Sequence, residues 1–219
     1  MNQKEENLSH METLLHKAME SHPDTQLIVF PELAVTGYQC GENFKDLAET
    51  ATIDSTSIKK MSALAKEFHV HIVYGMTEKE EDILYNSQFF LDDTGVLLGT
   101  YRKVHLFDSE KNYFTPGDQF KVFDTKIGRI GLFICYDAFF PEAARSLAIQ
   151  GVDLFGHTRI LDPLGRILTS INDEKDGIIH ASLDYDIAKQ MKHDYYTMLT
   201  ERHPDIYICL LYTSDAADD

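Results

Sequence analysis

Basic residues are scarce in this chain: 20 Lys and Arg stand against 36 Asp and Glu in 219 residues, a formal net charge of −16. A surface of that sign repels phosphate backbones and anionic lipid, which argues against nucleic acid and membrane as partners. Long apolar runs are missing as well, and the opening MNQKEENLSH has none of the apolar core of a secretion signal. Cysteines are few, three in all (Cys40, Cys135, Cys209), odd in number and far apart. They read as reduced thiols of a cytoplasmic protein and not as a disulfide framework. What remains is ordinary for a globular protein, 43% hydrophobic and 26% charged, in a length that can bury one sizeable core without a disulfide or metal staple.

Apolar periodicity then sets out the elements. Leu8, Met11, Leu14, Leu15, Ala18 and Met19 fall at helical spacing, and His22-Pro23-Asp24 ends that helix. Gln26–Phe30 is a short apolar run expected as a buried strand that stops at Pro31-Glu32. A second helix follows Asp54 or Ser55 as cap, with Ile58, Met61, Leu64, Ala65 and Phe68 on one face. Val70–Met76 is strand-like, and Ile83–Leu91 and Val96–Tyr101 flank the hairpin signal Asp92-Asp93-Thr94-Gly95. Strands are expected over Phe120–Thr125, Ile130–Tyr136, Thr158–Leu161, Arg166–Ile171 and Ile178–Leu183, with helices over Pro141–Gly151 and Tyr185–Tyr196. Helices and strands alternate early and hairpins crowd the middle and end, the pattern of a mixed-sheet α/β domain. The expected domain spans 1–208; residues 209–219, which end in Thr-Ser-Asp-Ala-Ala-Asp-Asp, read as a non-native or frayed tail.

Three segments share one design, an apolar stretch running into a polar, potentially reactive residue. They are Val29-Phe30-Pro31-Glu32-Leu33, Tyr101-Arg102-Lys103-Val104-His105-Leu106 and Gly131-Leu132-Phe133-Ile134-Cys135-Tyr136-Asp137. A Glu, a Lys and a Cys in one pocket form a workable set for acyl transfer. The thiolate is the nucleophile, so the thiol needs a base. A partly buried carboxylate, its pKa raised, can take that proton and return it to a leaving amine. An ammonium restrains that rise and stabilises the oxyanion.

Taken singly, each residue has a plainer explanation: a packed cysteine, a solvated turn carboxylate, an edge-strand lysine. Those explanations do not account for the motifs occurring together in order. Val-Phe-Pro-Glu-Leu-Ala-Val-Thr-Gly-Tyr at 29–38, Tyr-Arg-Lys-Val-His-Leu-Phe at 101–107 and Ile-Cys-Tyr-Asp-Ala-Phe-Phe-Pro-Glu at 134–142 resemble the three signatures of the nitrilase superfamily of carbon–nitrogen hydrolases. Glu110, in Ser-Glu-Lys-Asn-Tyr-Phe-Thr-Pro-Gly, is similar to that family's auxiliary glutamate, and 156–165 resembles its hairpin near the active site.

The resemblance implies an α-β-β-α sandwich that pairs into homodimers or larger homo-oligomers. It implies Glu32 as general base, Cys135 as nucleophile and Lys103 as stabiliser of the tetrahedral intermediate. Tyr136 would lend its backbone N–H to the oxyanion site, and Glu110 would position substrate and Lys103. The implied reaction is hydrolysis of a non-peptide C–N bond of a small molecule, amide or carbamoyl before nitrile, through a Cys thioester and with no metal or organic cofactor. His69 and His71 offer two metal ligands on one strand face, but no third lies at a persuasive spacing. A papain-like Cys–His pair finds no histidine placed by a motif.

Two departures accompany the resemblance. The chain opens directly on the first helix, without the family's preceding strand. Gly151-Val152-Asp153-Leu154 also runs straight into Phe155-Gly156-His157, where the family has several tens of residues. The expectation is therefore an incomplete scaffold around a complete set of reactive residues, poorly stable and weakly active. Its alternative is a catalytically impaired member serving in binding or assembly.

Overall fold

Leu8, Met11, Leu15, Ala18 and Met19 are the buried residues of helix α1 (Gln3–Ser21), one stripe at the expected spacing. Helix α3 (Thr56–Phe68) buries Ile58, Met61, Leu64 and Ala65, begins after Ser55, and ends at His69 in a left-handed conformation at φ 51°. A single turn, α2 (Phe44–Leu47), precedes it. These features come from a computed structural model that describes residues 3–152 without interruption, then 154–155, 159–161, 167–170, 177–184, 186–187 and 190. The chain divides into two compact units, Met1–Leu183 and Asp184–Asp219, and the sheets and the candidate site belong to the first.

Four strands form one mixed sheet in the order β1 (Leu27–Val29), β2 (His71–Glu80), β3 (Ile83–Leu91), β4 (Leu97–Arg102). β1 runs parallel to β2, and the other pairs are antiparallel. A second sheet is again mixed: β5 (Val122–Thr125) pairs antiparallel with β6 (Gly128–Gly131), which runs parallel to β7 (Leu154–Phe155). Helix α4 (Pro141–Ile149) starts on proline at its first position and buries Ala143 and Leu147. Two further strands, β8 (Arg159–Leu161) and β9 (Ile167–Ser170), pair antiparallel.

The layers follow from the strict alternation of side chains along a strand. Ile72, Tyr74 and Met76 of β2, with Phe89 and Leu91 of β3, meet the buried stripes of α1 and α3. On the opposite face, Val73, Phe90 and Tyr101 pack against Phe123 and Ile130 of the second sheet and Leu132 and Ile134 beyond it. Leu147 of α4 closes on the far side of that sheet, where a Cβ on Gly131 would sit 2.8 Å from Leu147 Cδ2. The result is an α-β-β-α sandwich with mixed sheets. Each large apolar side chain buried between its layers contributes about 1.5–3 kcal/mol.

Some expectations need correction. β1 is not a buried strand: it pairs only with β2 among the described residues, and Val29 is 54% exposed. The strand expected over Ile130–Tyr136 ends at Gly131, and Cys135–Phe139 forms a 3-10 turn instead. His69 does not share a strand face with His71, because it caps α3 while His71 opens β2. Ile178–Leu183 carries no strand; an apolar run becomes a strand only where a ladder partner exists, and none pairs with it among the described residues. Of the expected helix Tyr185–Tyr196, only Asp186, Ile187 and Gln190 are described, and all three are helical. The tail 209–219 lies outside the described residues.

Candidate active site

Glu32 follows β1 on a loop that lies flat on β2. Phe30 N–H donates to Val73 O at 2.8 Å and Val35 N–H donates to Gly75 O at 3.1 Å, so the loop is tied down on both sides of the glutamate. Gly75 permits this approach, since a Cβ there would stand 2.5 Å from Leu33 N, 2.7 Å from Pro31 O and 2.8 Å from Glu32 Cα. Lys103 follows β4 directly and is aligned by its backbone, with N–H donating to Asn86 O at 2.9 Å and O accepting from Gly117 N–H at 2.8 Å. Glu110 sits in a 3-10 turn (Asp108–Asn112), its Oε2 accepting the Phe107 N–H at 2.7 Å.

Cys135 opens the 3-10 turn after β6 at φ 42°, a left-handed conformation that non-glycine residues avoid, and it is exposed. Asp137 holds that turn. Its wholly buried carboxylate accepts from Ile134 N–H (2.9 Å), Tyr101 OH (2.6 Å) and His105 N–H (2.9 Å), and lies 2.8 Å from His105 Nδ1. The His105 ring stacks on Phe140 at 3.6 Å. The end of β4 and the turn of Cys135 are thus joined through one buried carboxylate.

Glu32, Lys103 and Cys135, far apart in the chain, come together with Glu110. Lys103 Nζ lies 2.6 Å from Glu32 Oε1 and 2.8 Å from Glu110 Oε2, with the lysine only 2% exposed. Asn86 Nδ2 donates to Glu32 Oε1 at 2.6 Å and to Glu110 Oε1 at 2.8 Å, and Tyr38 OH donates to Glu32 Oε2 at 2.6 Å. Tyr136 packs its ring 5.1 Å from Phe107 and 5.2 Å from Phe140. Beside it opens a cavity of about 450 Å³ whose lining includes His105, Leu106, Phe114 and Phe140.

Electrostatics revise one expectation. Burial pushes the Glu32 carboxyl up, but hydrogen bonds from Lys103, Tyr38 and Asn86 and the lysine charge outweigh it and hold the group below its ordinary value. The expected rise is reversed. Burial and the Glu32 charge instead push the Cys135 thiol up, against the opposing pull of Lys103. Burial alone would lower Lys103, yet Glu110 and Glu32 keep it above its ordinary value. The resting arrangement is therefore an ionised Glu32, a charged Lys103 and a protonated thiol under the influence of the glutamate charge. Such a trio can pass one proton from sulfur to carboxylate beside a fixed cation.

Sequence reading missed Asn86, Tyr38, Tyr101 and Asp137. Tyr38 and Asp137 lie inside motifs already singled out, so their proximity was a usable signal. Asn86 sits in a strand that was expected, Ile83–Leu91, but outside the reactive motifs, and had no such signal. Among the described residues no group of three His, Cys, Asp or Glu is placed to hold a metal ion, and no helix is long and apolar enough to cross a membrane.

Comparison with known proteins finds relatives over most of the chain. Residues 1–155 match a family model described as carbon-nitrogen hydrolase. A probable nitrilase of Schizosaccharomyces pombe is 38% identical over 252 aligned positions, covering 94% of this chain and 92% of that protein. An omega-amidase of Saccharomyces cerevisiae is 27% identical, covering 92% and 89%. A carbon-nitrogen hydrolase from Helicobacter pylori, known from its crystal structure, superposes with a TM-score of 0.79 at 26% identity, covering 94% of this chain and 93% of its own.

Proposed function

Because the chain belongs to the carbon–nitrogen hydrolase family of the nitrilase superfamily, and is an amidase-type hydrolase, we propose that it cleaves a small-molecule amide or carbamoyl C–N bond through a thioester on Cys135. The observation that carries this reading is the contact of Lys103 with both Glu32 and Glu110 beside a thiol that feels the charges of Glu32 and Lys103. In the first half-reaction Glu32 takes the thiol proton while sulfur bonds to the substrate carbonyl carbon. The oxygen of that carbonyl gains the charge and is met by Lys103 Nζ and the Tyr136 N–H. Amides at the start of a helical turn have no partner within it, which leaves this one available. Collapse breaks the C–N bond, and the proton on Glu32 leaves with the amine. In the second half-reaction Glu32 takes a proton from water, hydroxide attacks the thioester, and the thiol is regenerated with release of a carboxylic acid.

A screen for ammonia release over amides, carbamoyl compounds and nitriles tests the reading. Activity that is lost on alkylation of Cys135 supports it; unaltered activity after alkylation rejects it. Amide preference over nitrile is supported by the name of the omega-amidase relative. Assembly into homo-oligomers stays part of the proposal, to be read from the solution mass.

A second reading rests on a specific observation. The alignment to the Schizosaccharomyces pombe protein runs over 252 positions, more than the 219 residues of this chain, so that relative carries positions with no counterpart here. The family match also ends at residue 155, at the abrupt join already noted. This favours a shortened member of the family whose pocket wall is reduced and whose turnover is weak.

A further inference from the structure

The closed ring of hydrogen bonds at the centre of the site includes Asn86, a neutral side chain with no part in the proton transfers. Both hydrogens of Asn86 Nδ2 are committed, one to Glu32 Oε1 and one to Glu110 Oε1. Lys103 Nζ spans the same two carboxylates from its own position. Glu32, Lys103, Glu110 and Asn86 thereby form a four-membered circuit. We propose that Asn86 is a positioning residue for the reacting set, its carboxamide fixing the separation of Glu32 from Glu110 and aiming Glu32 at the Cys135 thiol. This inference rests on the thiol reading given above.

Several observations converge on it. Asn86 is 1% exposed and projects from the interior of β3, where its residue pairs with Thr77. Its Oδ1 is buried without a hydrogen-bond partner among the described residues. Among the described residues, the side-chain hydrogen bonds of Asn86 go to the two carboxylates alone. The backbone of Asn86 also receives the Lys103 N–H, so one residue registers both the lysine and the acids it bridges.

A physical argument explains why an amide serves here. Two carboxylates repel and need donors between them. Lys103 is a point charge on a flexible stem with three rotatable hydrogens, and it cannot by itself fix the angle between its partners. A planar NH₂ group on a strand supplies two directions set by the backbone. A second cation would do so at the cost of depressing Glu32 further and making it a poorer acceptor of the thiol proton. The amide adds direction without charge.

The test uses the full chain, with glutamate side chains labelled at the carboxyl carbon and titrated by NMR; the Glu32 signal is the one lost in Glu32→Gln. The charged and titratable groups facing Glu32 are Lys103, Glu110, Tyr38 and Cys135, and all remain in the variants. In Asn86→Leu the Glu32 midpoint is expected to rise by about one pH unit, the scale of one lost hydrogen bond to a charged group. In Asn86→Asp it is expected to rise further, because a third carboxylate enters the circuit.

A folded Asn86→Leu whose Glu32 midpoint matches the wild type overturns the inference, whatever its melting temperature. Should Asn86→Leu not fold, the wild type still answers: the Asn86 NH₂ resonances, assigned from its own backbone, should shift with the titration of Glu32, and their indifference overturns the inference equally. Retention of ammonia release by Cys135→Ala would reject the thiol reading and leave these midpoints untouched, so the two failures are distinguishable.

Discussion

At the scale of single residues, the site is a problem of proton placement. The proton rests on Cys135 while Glu32 is kept ionised by three donors. Cys135→Ala should abolish ammonia release, whereas Cys40→Ala, at a buried thiol bonded to Thr36 O, should leave kcat/KM nearly intact. Glu32→Gln and Lys103→Met should each lower kcat by about 10²–10⁴-fold, the first by removing the proton acceptor and the second by exposing the oxyanion. Their losses should fail to multiply in the double variant, since groups acting as a unit lose most of their value together. Multiplicative losses would mean that the residues act in separate sites.

The same shifts predict how stability follows pH. Glu32 is held below its ordinary value of 4.5, so its contribution is complete above that pH and lost as pH falls through the lower folded value. Lys103 is held above 10.5, so its contribution is complete below that pH and lost as pH rises through the higher folded value. Melting curves recorded from pH 3 to 5 (roughly the carboxylate range) should fall less steeply for Glu32→Gln than for the wild type. Equal slopes would show that Glu32 is not held in its charged form by the fold.

At the scale of elements, the Glu32 loop, the end of β4 and the Cys135 turn are held by contacts of different kinds. The loop depends on Gly75, and Gly75→Ala should cost upwards of about 3 kcal/mol and lower kcat/KM, because backbone must move to make room. Gly131→Ala meets only the ends of the Leu147 and Val152 side chains and should be milder in both. Tyr101→Phe removes one donor from buried Asp137 and should destabilise by about 1–3 kcal/mol. Thermal unfolding beside kcat/KM ranks the three, and a harmless Gly75→Ala would refute the close-approach argument.

These elements also mark how far the sequence could be read. Helical stripes such as Leu8 to Met19 and the Asp92–Gly95 hairpin were legible because periodicity and turn chemistry are local. Glu32, Lys103, Glu110 and Cys135 were legible as motifs. The lowered state of Glu32 was not, because the donors responsible come from Tyr38, Asn86 and Lys103 on separate elements. Nor was the 3-10 turn at Cys135, since Leu132–Ile134 read as continuing strand and the tie to Asp137 is visible only in three dimensions.

At the scale of the whole molecule, the sandwich places its reactive groups between one sheet and the turn that follows the other. Any change in how the sheets pack is therefore felt at the site. A shift of about 1 Å between catalytic groups can cost ~100-fold in rate. Inserting a family-like segment between Leu154 and Phe155 should raise both the melting temperature and the rate of ammonia release. A cooperative, high-melting and fully active 219-residue chain would show instead that the fold tolerates the short connection.

Gly75 carries a consequence for inheritance. A glycine codon changes by a single base to another glycine codon, to a stop, or to a residue bearing at least a Cβ. At this position even that one carbon would meet the backbone of Pro31 to Leu33. The third base of the codon can drift freely, while no first- or second-base change leads to a residue that fits. Descendants of this gene are expected to vary there by silent substitution alone for as long as Glu32 is under selection.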